Sequence, residues 1–341
     1  VIERLKLGRS SGALLLLAGA CALGCGRKSD GPNGPAPEVT GLAAVPSNAE
    51  AVIGADVSKL AGSPIVARAV DQLLLKDSTL GAAWTQVRDG CKIDFTTQVK
   101  RVMLVIGPTP PGGRAGTGPA MLIATGTIPE HDLNECVGKL VGKGGGSVTG
   151  KAVAGHTVYE VKDGARGMYF AFGRPDTVVM ATSEAYVIEA IGPGKKLPDN
   201  PEFAVWLKLV DQNQPIWAVG HVDDRVRKGL VGVLEGLKAG PSAIVGSIDP
   251  TNGAKLELGA VMASADDAKQ LESYVNDSRK LFGMIAQAKS LGSIVNKVKI
   301  TSADTVVRFK VELDMADVNH LLSMLDGGAP SAQDAAPGSG K

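Results

Sequence analysis

The sequence predicts an α+β fold, built as two related lobes of largely antiparallel sheet with helices packed on one face. Three observations lead to it. From about residue 46, short apolar runs rich in Val, Ile, Leu and Ala alternate with stretches of helical period. Several consecutive runs are separated only by Gly-, Pro- or Asp-containing turns, which makes them antiparallel hairpin neighbours. The order of strands and helices then comes round a second time, as an internal duplication would leave it. The boundaries that follow are 1–24 signal peptide, 25–45 flexible tether, 46–195 first lobe, 196–326 second lobe and 327–341 disordered tail.

The chain opens with Arg4, Lys6 and Arg9 ahead of an apolar run, Ala13–Leu23, the layout of a secretory signal and too short to span a bilayer. Ala22-Leu23-Gly24-Cys25 resembles the lipobox of bacterial lipoprotein signals, in which the cysteine is acylated and begins the mature protein. Small residues before the thiol let the peptidase grip the backbone. Cys21, after Ala18-Gly19-Ala20, is the alternative, but Gly26-Arg27-Lys28-Ser29-Asp30 turns polar directly after Cys25, as a tether should. The resemblance implies a lipid-anchored protein of the cell envelope, facing the periplasm. Gly26 in the position after Cys25 favours the outer over the inner membrane.

In the first lobe, Ala51–Val57 reads as a strand, and Ser63-Pro64 supplies a cap and a first-turn proline for a helix through Leu75. Val99–Gly107 and Ala120–Thr127 are strands joined by a Pro/Gly turn. Glu130–Val141 is a helix. Strands near His156–Val161, Gly167–Phe172 and Thr177–Ala181 follow, then a short helix, Glu184–Ile191.

In the second lobe, Asn200-Pro201-Glu202 caps a connecting helix, Ile216–His221 is a strand and Asp223–Leu237 a helix. Ala243–Asp249 and Leu256–Met262 pair. Ser264-Ala265-Asp266-Asp267 opens the longest helix in the manner of a capping box. Its apolar stripe of Ala268, Leu271, Val275, Leu281, Phe282 and Ile285 faces a core or lines a groove over the sheet. Strands Val295–Ser302 and Thr305–Leu313 and helix Met315–Leu325 complete the lobe. The duplication is read from Ala120–Val137 against Glu257–Val275 and from Thr177–Ile191 against Thr305–Leu325.

The opening of the folded part, VPSNAEAVIGADVSKLAGSP (Val45–Pro64), resembles the start of large families of exported bacterial lipoproteins of unknown function. That resemblance implies no activity.

Composition excludes several classes. With 36 basic and 35 acidic residues the net charge is +1, so no global field draws nucleic acid or anionic lipid. Aromatic residues are 4% of the chain, too few for stacking surfaces that bind sugars or single strands. Once an N-terminal cysteine is acylated, Cys91 and Cys136 remain, and in an oxidising compartment they are expected to pair as a disulfide. Cys91 follows Asp89-Gly90 in what reads as a turn.

Catalytic signals are weak. Gly145, Gly150 and Lys151 have Walker A spacing, but Ala152 stands where Ser or Thr should ligate magnesium and a strand follows in place of a helix. A glycine turn explains the segment. His131, His156, His221 and His320 have no metal-ligand spacing, and His131 with Asp132 and Glu135 reads as a solvated helix start. His221, Asp223 and Asp224, at a strand end entering a helix, are the weak ligand-site candidates, with Asp223 equally explained as a cap. Asp56, after Gly54-Ala55, has the ordinary role of capping a turn. No catalytic residue, metal or cofactor is expected. The expected role is non-enzymatic binding or scaffolding of a protein partner or apolar ligand. The alternatives are an envelope enzyme, such as a hydrolase, with a site between the lobes, or a lipid or lipoprotein carrier.

Overall fold

The computed structural model describes residues 37–91, 95–114, 116–153, 155–163, 166–233, 237–288 and 292–325. The signal peptide, Cys21, Cys25 and the C-terminal tail lie outside the described residues.

The chain order is β1 (Ala51–Asp56), α1 (Pro64–Lys76), α2 (Ser78–Cys91), β2 (Val99–Ile106), β3 (Ala120–Gly126), α3 (Glu130–Gly142), β4 (Ser147–Val153), β5 (His156–Asp163), β6 (Arg166–Gly173), β7 (Thr177–Ala181) and α4 (Glu184–Ile191). Then come α5 (Pro201–Trp206), β8 (Ile216–His221), α6 (Asp224–Val233), β9 (Ala243–Asp249), β10 (Ala254–Val261), α7 (Ala265–Ala288), α8 (Gly292–Lys297), β11 (Lys299–Ala303), β12 (Val306–Leu313) and α9 (Met315–Leu325). The fold is α+β, as the hairpin spacing implies. All twelve strands join one antiparallel sheet, ordered β11-β12-β10-β9-β8-β1-β2-β3-β7-β6-β5-β4.

Two expectations change here. The two lobes are halves of one continuous sheet, because β1 pairs β8 along its length, Ala51 opposite Gly220 and Ala55 opposite Ile216. Helices also cover both faces, not one. On one face α4 buries Tyr186, Val187, Ala190 and Ile191 in a core with Met121, Val158, Ala171 and Val179. On the other, α3 buries Leu133, Cys136, Val137 and Leu140 against Ala124, Val161, Phe170 and Val178. At the far end of that second face, Ala268 and Leu271 of α7 pack on Ala260, Met262, Ile300 and Val307. β7 lies between two helical layers, and all five of its residues are buried.

Three local differences have clear causes. Residues 37–45, read as the end of the tether, are built into the fold. Val39 N–H donates to the Arg174 carbonyl, and Ala44 and Val45 are fully buried. Cys91 ends helix α2 rather than sitting in a turn, and its bond to Cys136 ties α2 to α3 with Cα atoms 5.3 Å apart. Closing that loop of sequence separation 45 stabilises the fold by about 4 kcal/mol on the chain-entropy model. The glycine segment around Lys151 is edge strand β4, paired with β5 along its length. No helix of the described residues is long and apolar enough to cross a membrane.

Candidate functional site

The site begins with an ordinary property of strands: alternate residues share a face, and register aligns them across the sheet. On the α3/α7 face one row crosses all twelve strands. It runs Ile300, Phe309, Leu258, Gly246, Ala218, Ile53, Leu104, Leu122, Met180, Phe170, Tyr159, Gly150. The second row, one pair further along the strands, includes Val311, Leu256, Ile248, Ile216, Ala55, Val102, Ala124 and Val178.

Apart from the Tyr159 hydroxyl these residues are apolar, and among the described residues they are covered only at the ends of the rows. Phe170 and Met180 lie beneath α3, with Tyr159 stacked on Phe170 at 4.8 Å. Ile300 lies beneath α7. Between these covers Ile53 is 42% exposed and Leu258 37%, and Ile248 and Leu256 are exposed beside them. The uncovered floor runs from β2 to β10, about 19 Å at the usual spacing between strands. From Ile53 to Leu258 and from Ala55 to Leu256 its side chains hold no hydrogen-bonding group. Gly246 keeps the floor low: a Cβ there would stand 2.9 Å from the Glu257 carbonyl oxygen and 3.2 Å from Leu258 Cδ1.

Helix α1 begins beside the end of β9, one of the strands of this floor. Ser63, itself buried, accepts the Val66 N–H at 3.2 Å and donates to the Pro250 carbonyl at 2.7 Å, which fixes the helix start at the end of β9. Arg68 reaches Asn319 on α9 at 3.4 Å. Val66, Val70, Leu73 and Leu74 recur at helical spacing, yet no residue of α1 is buried, and Val70, Leu73 and Leu75 are exposed. The apolar stripe of α1 and the open apolar sheet are each left unburied, which is energetically unfavourable in water unless something occupies them.

The sequence-derived candidates are placed apart from this floor. His221 is exposed at the end of β8 and stacks on Trp206 at 6.0 Å. Asp223 caps α6, its Oδ1 accepting the Arg225 and Val226 N–H groups at 2.8 Å. Asp224 pairs with Arg227 at 3.1 Å. Asp223 and Asp224 share a shallow recess with Thr109 and Pro110, which His221 does not line. Asp56 likewise caps a turn, accepting the Lys59 N–H at 3.1 Å. Among the described residues, His131, Asp132 and Glu135 form the single group of potential metal ligands within reach of one another, on the first turns of α3. Glu135 there is held by Lys139.

The groove considered under the long helix is closed over its first half, where Ala268 and Leu271 fill the space. The side chains of Leu281, Phe282 and Ile285 lie outside the described residues. The floor itself was not singled out from sequence. Part of its signal is present: β1 (AVIGAD) and β9 (AIVGSID) carry apolar residues on both alternations up to Asp56 and Ser247.

Perturbed ionisable groups are spread across the molecule, each tied to a structural task. Burial lowers the Lys196 ammonium, whose Nζ donates to the Glu189 and Ala190 carbonyls at 2.7 Å and so closes the C-terminal end of α4. Burial, then a hydrogen bond with Glu130, raises the Tyr159 phenol. Burial works to raise the Glu257 carboxyl, but Lys310 and Arg308 outweigh it and hold the group below the usual range. The Asp249 and Asp314 carboxyls are lowered chiefly by Thr251 and by the Asp317 N–H, within their own turns.

No protein-family model matches the chain, and no curated protein matches it. Among solved structures it is similar to that of TP0453 in crystal form I, with a TM-score of 0.45 and 11% identity, covering 85% of this chain and 98% of that one. At that identity the likeness carries no residue role across. The Cys91–Cys136 bond is of the kind found in extracytoplasmic proteins.

Proposed function

We propose that the protein is a lipid-anchored, non-enzymatic binding protein of the cell envelope, and that its open sheet face takes the hydrocarbon chain of an amphipathic ligand. The uncovered middle of the apolar rows carries the reading. It offers aliphatic surface with no polar side chain to orient a reacting group, and the apolar stripe of α1, which starts at the end of β9, is unburied as well. Acylation at Cys25, periplasmic exposure and an outer-membrane address belong to the same proposal. They put the floor within tether reach of a source of such chains.

The two halves also support a duplicated origin. The order β1-β2-β3-β7-β6 on one side of the β1–β8 junction matches β8-β9-β10-β12-β11 on the other, with α3 and α7 at equivalent places. The floor then lies across the junction of the two copies.

The test is titration of the mature body, residues 26–341 made in an oxidising compartment, with the fluorescent fatty acid cis-parinaric acid. Saturable binding is expected, weakened at least about tenfold in an Ile53→Asp/Leu258→Asp double variant by loss of apolar contact area. Absent binding, or binding indifferent to those changes, would overturn the reading. Cross-linking of a protein to the wild-type floor alone would replace the ligand with a partner.

A further inference from the structure

On the opposite face, the middle of the sheet carries a cleft of about 590 Å³. Two cross-strand rows make its base: Trp217–Gly54–Met103 and, one pair along, Asp56–Arg101–Thr125. Residues near Thr40 and the segment Gln212–Gln214 form its walls. Gly54 allows the indole to lie across β1, since a Cβ there would stand 2.3 Å from Trp217 Cε2 and 2.4 Å from Nε1. Trp217 is 7% exposed, and its N–H has no hydrogen-bond partner among the described residues.

The charged groups around that N–H divide into engaged and free. Asp56 accepts the Lys59 N–H and lies 3.7 Å from Lys59 Nζ, which also donates to the Asn213 carbonyl. Asp176 accepts the hydroxyls of Thr40 at 2.9 Å and Thr177 at 3.0 Å. Arg101 is engaged on one side only: its Nε pairs with Asp56 Oδ2 at 4.0 Å, its outer guanidinium nitrogens make no ion pair among the described residues, and its side chain is two-thirds exposed. Lys100 makes no ion pair among the described residues. The acids in the cleft are therefore occupied, and the outer nitrogens of the Arg101 guanidinium, the Lys100 ammonium and the indole N–H line it without an ion pair or hydrogen bond among the described residues.

We infer that this cleft is a binding site for a small organic oxyanion. The guanidinium fork of Arg101 takes the anionic oxygens, the Trp217 N–H takes a further acceptor, and the apolar body of the ligand rests on Met103 and the indole. Carboxylates and phosphate monoesters share this chemistry. The site is on the face away from the apolar floor, so it stands or falls independently of hydrocarbon binding.

The test follows the three indole N–H resonances of Trp84, Trp206 and Trp217 by ¹H–¹⁵N NMR, with Trp217→Phe to assign the third. Benzoate and phenyl phosphate are the probes, inorganic phosphate tests the bare anion, and benzamide is the uncharged control. A saturable shift of the Trp217 signal with benzoate or phenyl phosphate is expected. It should weaken about tenfold in Arg101→Gln, the loss of one charge-assisted hydrogen bond, and recover in part in Arg101→Lys. Whichever probe binds more tightly identifies the acid, and a shift with inorganic phosphate alone overturns the organic-ligand assignment. No shift, an equal shift with benzamide, or a shift indifferent to Arg101→Gln overturns the site. Unmoved Trp84 and Trp206 signals in the variants establish that the fold is kept.

Discussion

Leu258 and Met180 occupy the same cross-strand row, yet truncating them to alanine should have very different costs. Met180 is 2% exposed beneath α3, so Met180→Ala loses its full transfer energy and leaves a cavity, about 2–5 kcal/mol. Leu258 is 37% exposed on the open floor. Leu→Ala removes three carbon groups at about 0.8 kcal/mol each when fully buried. With roughly two-thirds of that contact present and water free to fill the space, the cost is about 1.5 kcal/mol. Urea unfolding followed by circular dichroism measures both, provided the slope with denaturant is unchanged between variants. A Leu258→Ala cost equal to that of Met180→Ala would refute the reasoning. It would mean that the floor is closed in solution by packing as tight as the core, leaving no surface for a ligand.

Two further predictions concern how the site is held. Ser63→Ala removes the cap of α1 and leaves the Pro250 carbonyl without its hydroxyl donor, and should cost about 2 kcal/mol in the same assay; it should also raise amide exchange across α1, and unchanged exchange there would refute the anchoring role. The Glu257 carboxyl is held below its ordinary 4.5, so between the two values the folded state binds fewer protons than the unfolded one. Its contribution is present in full above about pH 4.5 and is lost as pH falls through the lower folded value, so Glu257→Gln should flatten the acid side of the stability curve; an unchanged acid limb would refute it.

Element type was legible where local chemistry and burial agree. Ser63-Pro64 and Asn200-Pro201 carry their helix starts in the residues themselves, and each side chain makes the cap that its type implies. Edge strand β4 was not legible: SVTGKAV is mostly exposed, so no alternating apolar signal marks it. Helix α2 was missed because it holds Gly81 and Gly90 and is fixed by distant partners, through the Cys136 bond and through Val87 in the core. The candidate site was hidden for a different reason. Apolar strands announce that both faces avoid water, but only tertiary placement decides whether a helix covers each face. Over Ile53 and Leu258 no helix of the described residues does. Trp217 and Gly54 are 163 positions apart in sequence, and their contact exists only through β1–β8 register.

That central pairing also orders events in time. β1 is complete by residue 56, but its partner β8 does not begin until residue 216. While the chain emerges, β1 can pair only with β2, and its other side remains an unpaired edge carrying Val52 and Ile53. Joining it to β8 closes a loop of some 160 residues, a late and entropically costly step. The half-made protein thus presents a sticky strand edge in the middle of its future sheet, the kind of surface that draws other chains into aggregates. Escort by a chaperone during export would matter most in that interval, and it would end when Ile216–His221 docks.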